Sequence, residues 1–187
     1  MGVKKYNGTH ALVKSKDIQT DTLKVNNEDI GFLDNFITGL TLSNGTDSDH
    51  DIDIAVGVCA DSTNTKLIRL TSAITKQIDA NWAEGDDAGG FPSGLTLSAD
   101  TWYHVILILK SDGTVDAGFD TDSSASNLLS DATGYSEYRH IGWIRTDSSS
   151  NIRAFQQVGD IFNYKNPIQD YSGSLTASNF TVTAPPN

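Results

Sequence analysis

The densest run of chemically capable side chains is Asp47-Ser48-Asp49-His50-Asp51-Ile52-Asp53, in which four carboxylates alternate. Hard oxygen ligands at such spacing suit calcium. An EF-hand loop, however, needs Gly at its sixth position and a bidentate Glu at its twelfth, where this run has Ile52 and Val58. The favoured reading is therefore that these carboxylates are solvated residues of a loop and of the outward face of a strand. The histidines, His10, His50, His104 and His140, offer no i, i+2 or i, i+4 pair within one element for a metal. Cys59 has no His near it in sequence, and neither a Gly-x-Ser-x-Gly elbow nor a Gly-rich phosphate loop occurs. Nothing among the 24 acidic residues singles out a pair for glycoside hydrolysis. The sequence is expected to be non-enzymatic, with no cofactor and no metal site.

Aromatic side chains are the remaining resource. Trp82, Trp102, Tyr103, Tyr135, Tyr138, Trp143 and Tyr164 have apolar faces and polar edges that suit stacking on sugar rings. The competing reading, favoured for any one of them, is packing in a core or a subunit interface. Surface recognition is expected at Tyr135, Tyr138 and Arg139. The formal net charge of −11, without a basic cluster longer than Lys4-Lys5, argues against nucleic acid and anionic membranes as partners. The longest aliphatic run, Val105 to Leu109, is far below the roughly 18 residues of a membrane span. The start shows no apolar h-region, so no classical signal peptide is expected. A lone Cys59 forms no internal disulfide, consistent with synthesis in a reducing cytoplasm.

The elements that must position these residues are short strands. Asp outnumbers Glu by 21 to 3, and Ser, Thr, Asn and Gly are abundant, whereas straight-chain helix formers are scarce. The chain is long enough for one domain of about 100 to 200 residues. Residues 1–34 lack a strong apolar face, with brief extended stretches at Tyr6–Val13 and Thr22–Val25, and are expected to be an N-terminal arm or attachment segment. Residues 35–187 are expected to be the folded domain. Ile52, Ile54, Val56 and Val58 alternate within His50–Cys59, which predicts one half-buried strand. Ile74, Ile78 and Trp82 recur at four-residue spacing, which predicts a short helix over Ser72–Trp82. Glu84–Gly94 and Thr121–Thr133 read as loops. Further strands are expected at Trp102–Lys110, Val115–Asp120, Tyr135–Thr146, Ile152–Val158, Ile161–Tyr164 and Phe180–Ala184. Such turn density predicts a mostly β fold, a single jelly-roll-like β-sandwich with at most one short helix.

Asp112-Gly113 predicts a two-residue hairpin turn, which sets Ile108 opposite Ala117 and Ile106 opposite Phe119 as the core face. Val105, Leu107 and Leu109 then lie on the other face, too apolar to leave in water. A neighbouring subunit is expected to cover these three residues in a homotrimer, with the chain's own segments as the alternative cover.

Thr101-Trp102-Tyr103-His104-Val105, followed by the Asp-Gly turn, resembles a short strand and turn of concanavalin-like jelly-roll domains. A longer series, from Gly39-Leu40-Thr41-Leu42-Ser43-Asn44 through Ile74–Asp79, Trp82–Gly85, Tyr138-Arg139-His140-Ile141-Gly142 and Ile144–Asp147 to Phe155-Gln156-Gln157-Val158-Gly159-Asp160, resembles successive blocks of a domain in tail-fibre and other virion proteins of tailed bacteriophages and prophages. The resemblance implies a structural component of a virion, assembled in the host cytoplasm, in a tail fibre or tail-associated assembly with host-surface recognition. Other virion proteins would be its partners, with a host-surface glycan as a further one. A capsid decoration or head-fibre protein and a carbohydrate-binding module are the alternatives. The pattern usually has two basic residues before Ile-Gly, and here the second is His140.

Overall fold

Alternating Ile, Val and Leu broken by Asp-, Asn- and Gly-rich turns give strands joined by tight loops. The computed structural model describes residues 23–25, 28–30, 35–167 and 182–185. The chain divides into two units, Met1–Gly31 and Phe32–Asn187. In the first, β1 (Leu23–Val25) and β2 (Glu28–Ile30) pair antiparallel. The stretch expected at Tyr6–Val13 lies outside the described residues.

The second unit has one sheet of β3 (Ile37–Gly39), β6 (Gly57–Ala60) and β7 (Leu67–Leu70), in that order. Another contains β4 (Leu42–Asn44), β5 (Asp51–Ile54), β8 (Ile74–Asn81) and β9 (Ala88–Phe91). In a third, β10 (Trp102–Lys110) lies between β11 (Val115–Asp120) and β12 (Tyr135–Arg145). A ribbon of β13 (Phe155–Val158) and β14 (Ile161–Tyr164) completes it, with one helix among the described residues, α1 (Ser126–Asp131). The fold is mostly β and sandwich-like.

The long strand expected over His50–Cys59 is broken at Ala55-Val56, where the chain leaves one sheet for another. The β3–β4 connection turns at the same place, since Leu40 N donates to Val56 O at 3.2 Å and Ala55 N to Thr41 O at 3.0 Å. Two paired segments thus cross between sheets together, a corner of the kind that closes a sandwich. Gly39 makes this crossing possible, because its φ is +70° and a Cβ there would lie 2.4 Å from Val56 O. Alternation survives in β5, where Ile52 and Ile54 are buried, but Val56 is 52% exposed.

Ser72–Trp82 is not a helix. Spacing of four fits a strand of period two as well as a helix, and residues 74–81 form β8, whose inward positions are Lys76 and Ile78. Lys76 Nζ donates to Ala83 O at 2.7 Å and Gly85 O at 3.1 Å and meets Asp116 Oδ1 at 3.2 Å, so all three N–H groups have acceptors. The loop expected at Glu84–Gly94 contains β9, parallel to β8.

The β10–β11 register also differs from expectation by one residue. Lys110 N donates to Thr114 O, and Gly113 stands at φ +94°, so the loop is the three-residue Ser111–Gly113. Leu107 therefore faces Ala117 and Val105 faces Phe119. Val105, Leu107 and Leu109 belong to the principal core with Leu42, Ile52, Ile68 and Phe119, so the cover expected from a neighbouring subunit comes from the chain itself. Ile106 and Ile108 occupy the outer face. There Leu128 of α1, its flanking Ala125 and Ala132, and Tyr135 cover them.

The expected loop Thr121–Thr133 holds α1, whose N-cap residue Ala125 has no side-chain cap. Asp120 at the end of β11 serves instead, accepting from Asn127 N at 2.9 Å and Leu128 N at 2.8 Å. Other aspartates hold loops in the same way: Asp61 accepts from the backbone of Thr63, Thr65 and Lys66, and Asp147 from that of Ser149 and Asn151. The short acidic side chain is used where the chain turns, in keeping with the excess of Asp over Glu. Residues 182–184 carry no strand, contrary to expectation, and the preceding part of Phe180–Ala184 lies outside the described residues.

Candidate recognition surface

The pairs Trp102 with Arg145 and His104 with Trp143 place four side chains on the outer face of the β10–β12 sheet, the face that also carries Ile106. Their rings continue into a row. Tyr164 and Trp102 have centroids 5.9 Å apart, Trp102 and Trp143 6.3 Å, and Trp143 and His140 4.9 Å. His104 lies under Trp143 at 3.7 Å and is buried, with no hydrogen-bond partner for Nδ1. Burial, helped by the neighbouring His140, pushes its pKa down to about 4, so this imidazole is neutral. Burial also lowers the pKa of His140, whose Nε2 lies 2.7 Å from Gly142 O. Tyr164, Trp102, Trp143 and His140 are half-buried.

Two arginines stand at one end of this row. The bridge between Thr146 and Ile152 closes the turn at residues 147–151, and Arg153 N donates to Arg145 O at 2.9 Å. The two guanidinium groups become neighbours and share one carboxylate: Asp100 Oδ1 lies 3.3 Å from Arg145 Nη1 and 3.8 Å from Arg153 Nη2. Asp100, held at φ +51°, is the more exposed partner. Arg145 lies 6.0 Å from the centroid of Trp102. Burial pushes the Tyr164 phenol up to about 12, while both guanidinium groups act in the opposite direction, which places its hydroxyl within their field.

A cleft of about 440 Å³ opens along β12, between β3 and the β13–β14 hairpin. Both β3 and β12 are terminal strands of their sheets. Ile37, Arg139, Trp143, Gln157, Asp160 and Phe162 contribute to its lining. Arg139 donates to Asn35 Oδ1 at 3.2 Å and to Asn35 O at 3.1 Å, and Gln157 Oε1 accepts from Leu42 N at 2.7 Å. No family model, curated protein or solved structure matches the chain.

The three residues expected to serve surface recognition are not brought together. Tyr135 is buried edge-on against Trp82 at 5.7 Å, and Tyr138 packs on the same small core beneath α1. Arg139 takes the opposite side of β12 and enters the cleft, separated from both by the alternation of the strand. The carboxylates of the 47–53 run have separate partners: Asp47 Oδ2 pairs with His50 Nδ1 at 2.9 Å, Asp51, buried rather than solvated as expected, accepts from Asp47 N, and Asp53 accepts from Thr75 Oγ1 at 2.6 Å. Among the described residues no group of three or more His, Cys, Asp or Glu could hold a metal. Sequence reasoning missed Arg145 and Arg153. The turn signal Asp147–Asn151 was the available clue, because closing it sets residues two positions outside its ends opposite each other.

Proposed function

We propose that the chain is a non-enzymatic structural component of a tailed-bacteriophage virion, in a tail fibre or tail-associated assembly, with a host-surface recognition role. The observation that carries this reading joins sequence to structure. Three of the blocks on which the virion-protein resemblance rests, Gly39–Asn44, Tyr138–Gly142 and Phe155–Asp160, are widely separated in sequence and meet at one cleft. A particle protein assembled in the host cytoplasm alongside other virion proteins fits the acidic, turn-rich chain. Association as a homotrimer belongs to the same reading, with its contact on a surface other than the buried face of β10. Immunogold labelling of purified particles with an antibody to this chain tests the proposal. Label on the tail supports it, label on the head replaces it with the capsid-decoration or head-fibre alternative, and unlabelled particles overturn both. The carbohydrate-binding module is a second reading, favoured by the row of half-buried rings from Tyr164 to His140.

A further inference from the structure

We propose that Arg145 and Arg153, at the end of the aromatic row beside Trp102 and Tyr164, form a binding site for the carboxylate of an acidic saccharide. This inference rests on the recognition part of the function proposed above and names the ligand class.

The chain has four arginines in a sequence of net charge −11, and two of them are cross-strand neighbours. Like charges placed opposite each other are destabilising unless something compensates. Asp100 compensates only in part, since it is half-exposed and faces two guanidinium groups with one carboxylate. Arg145 and Arg153 also each bury an Nε–H that has no acceptor among the described residues, and Arg145 is more than nine-tenths buried. A buried donor without an acceptor is costly, and a guanidinium presents its donors in a planar fork matched to a carboxylate. The unmet donors therefore point to an anion with two oxygens, reached from the side of Asp100 rather than from the pocket where Asp49 and Asp147 stand beside Arg153.

The surroundings distinguish a sugar acid from a free anion. Trp102 and Tyr164 flank the arginines, and their rings continue through Trp143 to His140 at centroid steps of 5.9, 6.3 and 4.9 Å. Apolar ring faces with polar edges suit the stacking of pyranose rings. A terminal uronic or related acidic residue would place its carboxylate at Arg145 and Arg153 and direct the rest of the glycan along the row. Asp100 would then act as an internal competitor, occupying the guanidinium donors until the ligand carboxylate displaces it.

Titrating the full chain with glucuronate, glucose and inorganic phosphate, followed by tryptophan fluorescence and by NMR of Trp102 and Tyr164, tests the inference. Glucuronate is expected to perturb both residues, with glucose much weaker. Arg153→Gln is expected to weaken glucuronate binding about ten-fold, the worth of one charge-assisted hydrogen bond. Asp100→Asn tolerates the left-handed backbone and removes the competitor, so it is expected to tighten binding several-fold. Equal responses to glucose and glucuronate, no response to either, or unchanged binding in both variants overturns the proposal. Phosphate binding as tight as glucuronate, without perturbation of Trp102, also overturns it, since the aromatic row then plays no part. If glucuronate is ignored while the protein still adsorbs to host cells, this inference fails and the recognition reading stands. Failure to adsorb to any host surface overturns the recognition reading.

Discussion

Asp116→Ala is expected to be among the most damaging single substitutions in the chain. Lys76 is fully buried and Asp116 nearly so, and the pair ties β8 to β11. Asp116 also accepts from Gly85 N and Ala117 N, each at 2.7 Å. The substitution leaves an ammonium group held only by Ala83 O and Gly85 O, and it removes the side-chain acceptor from two backbone donors. Breaking a buried pair from one side costs about 3 to 5 kcal/mol, because the remaining charge stays desolvated. Lys76→Met should cost somewhat less, about 3 kcal/mol, since it too leaves a buried charge without its counter-ion but the carboxylate keeps both backbone donors and the methionine fills the space. Urea denaturation followed by tryptophan fluorescence, to which Trp82 beside the pair contributes together with Trp102 and Trp143, gives both values from midpoint and slope. A loss below about 1 kcal/mol for Asp116→Ala, or a larger loss for Lys76→Met, would refute this account of the pair.

Three further outcomes follow from other parts of the fold. Gly39→Ala should lose about 2 to 4 kcal/mol, from a left-handed residue that gains a Cβ and from contact with Val56 O, and a melting temperature within 2 °C or so of the wild type would contradict that. His104 has its folded pKa lowered by burial to about 4, so the unfolded chain binds the extra proton first and stability should decline as pH falls from about 6.5 towards 4. His140 adds to that decline while His50, raised by its hydrogen bond to Asp47, opposes it, and His104→Phe should flatten the slope; an unchanged slope would rule out His104 as its source. Cys59 is fully buried and burial pushes its thiol up to about 12, so an aromatic disulfide reagent at pH 8 should label it only after denaturant is added, and rapid labelling of the native protein would place it elsewhere.

Strands with strong alternation and a clear turn were legible in the sequence, as β10, β11 and β14 show by matching their expected limits. The errors arose where one pattern served two geometries. Four-residue spacing of Ile74, Ile78 and Trp82 suits a strand as well as a helix, and the inward Lys76 hid the alternation because its partner, Asp116, is forty residues away. The dipeptide Asp112-Gly113 occurs in two-residue and three-residue hairpin loops, and the choice between them reversed which residues of β11 face Leu107 and Ile106. That reversal exchanged core for surface and led to the expected subunit contact at Val105, Leu107 and Leu109. Helix α1 is too short to show a period and is capped from β11 by Asp120, a contact that local sequence does not display. The aromatic residues of the candidate surface were visible as types, but their row depends on the pairing of β10 with β12, and the two arginines depend on closure of the 147–151 turn.

The chain is proposed to be a built-in part of a virion. Quantitative mass spectrometry of gradient-purified infectious particles tests it most directly. A fixed number of copies per particle that survives repeated high-salt washing is the expected result, whereas a chain found only in the particle-free lysate would contradict the claim.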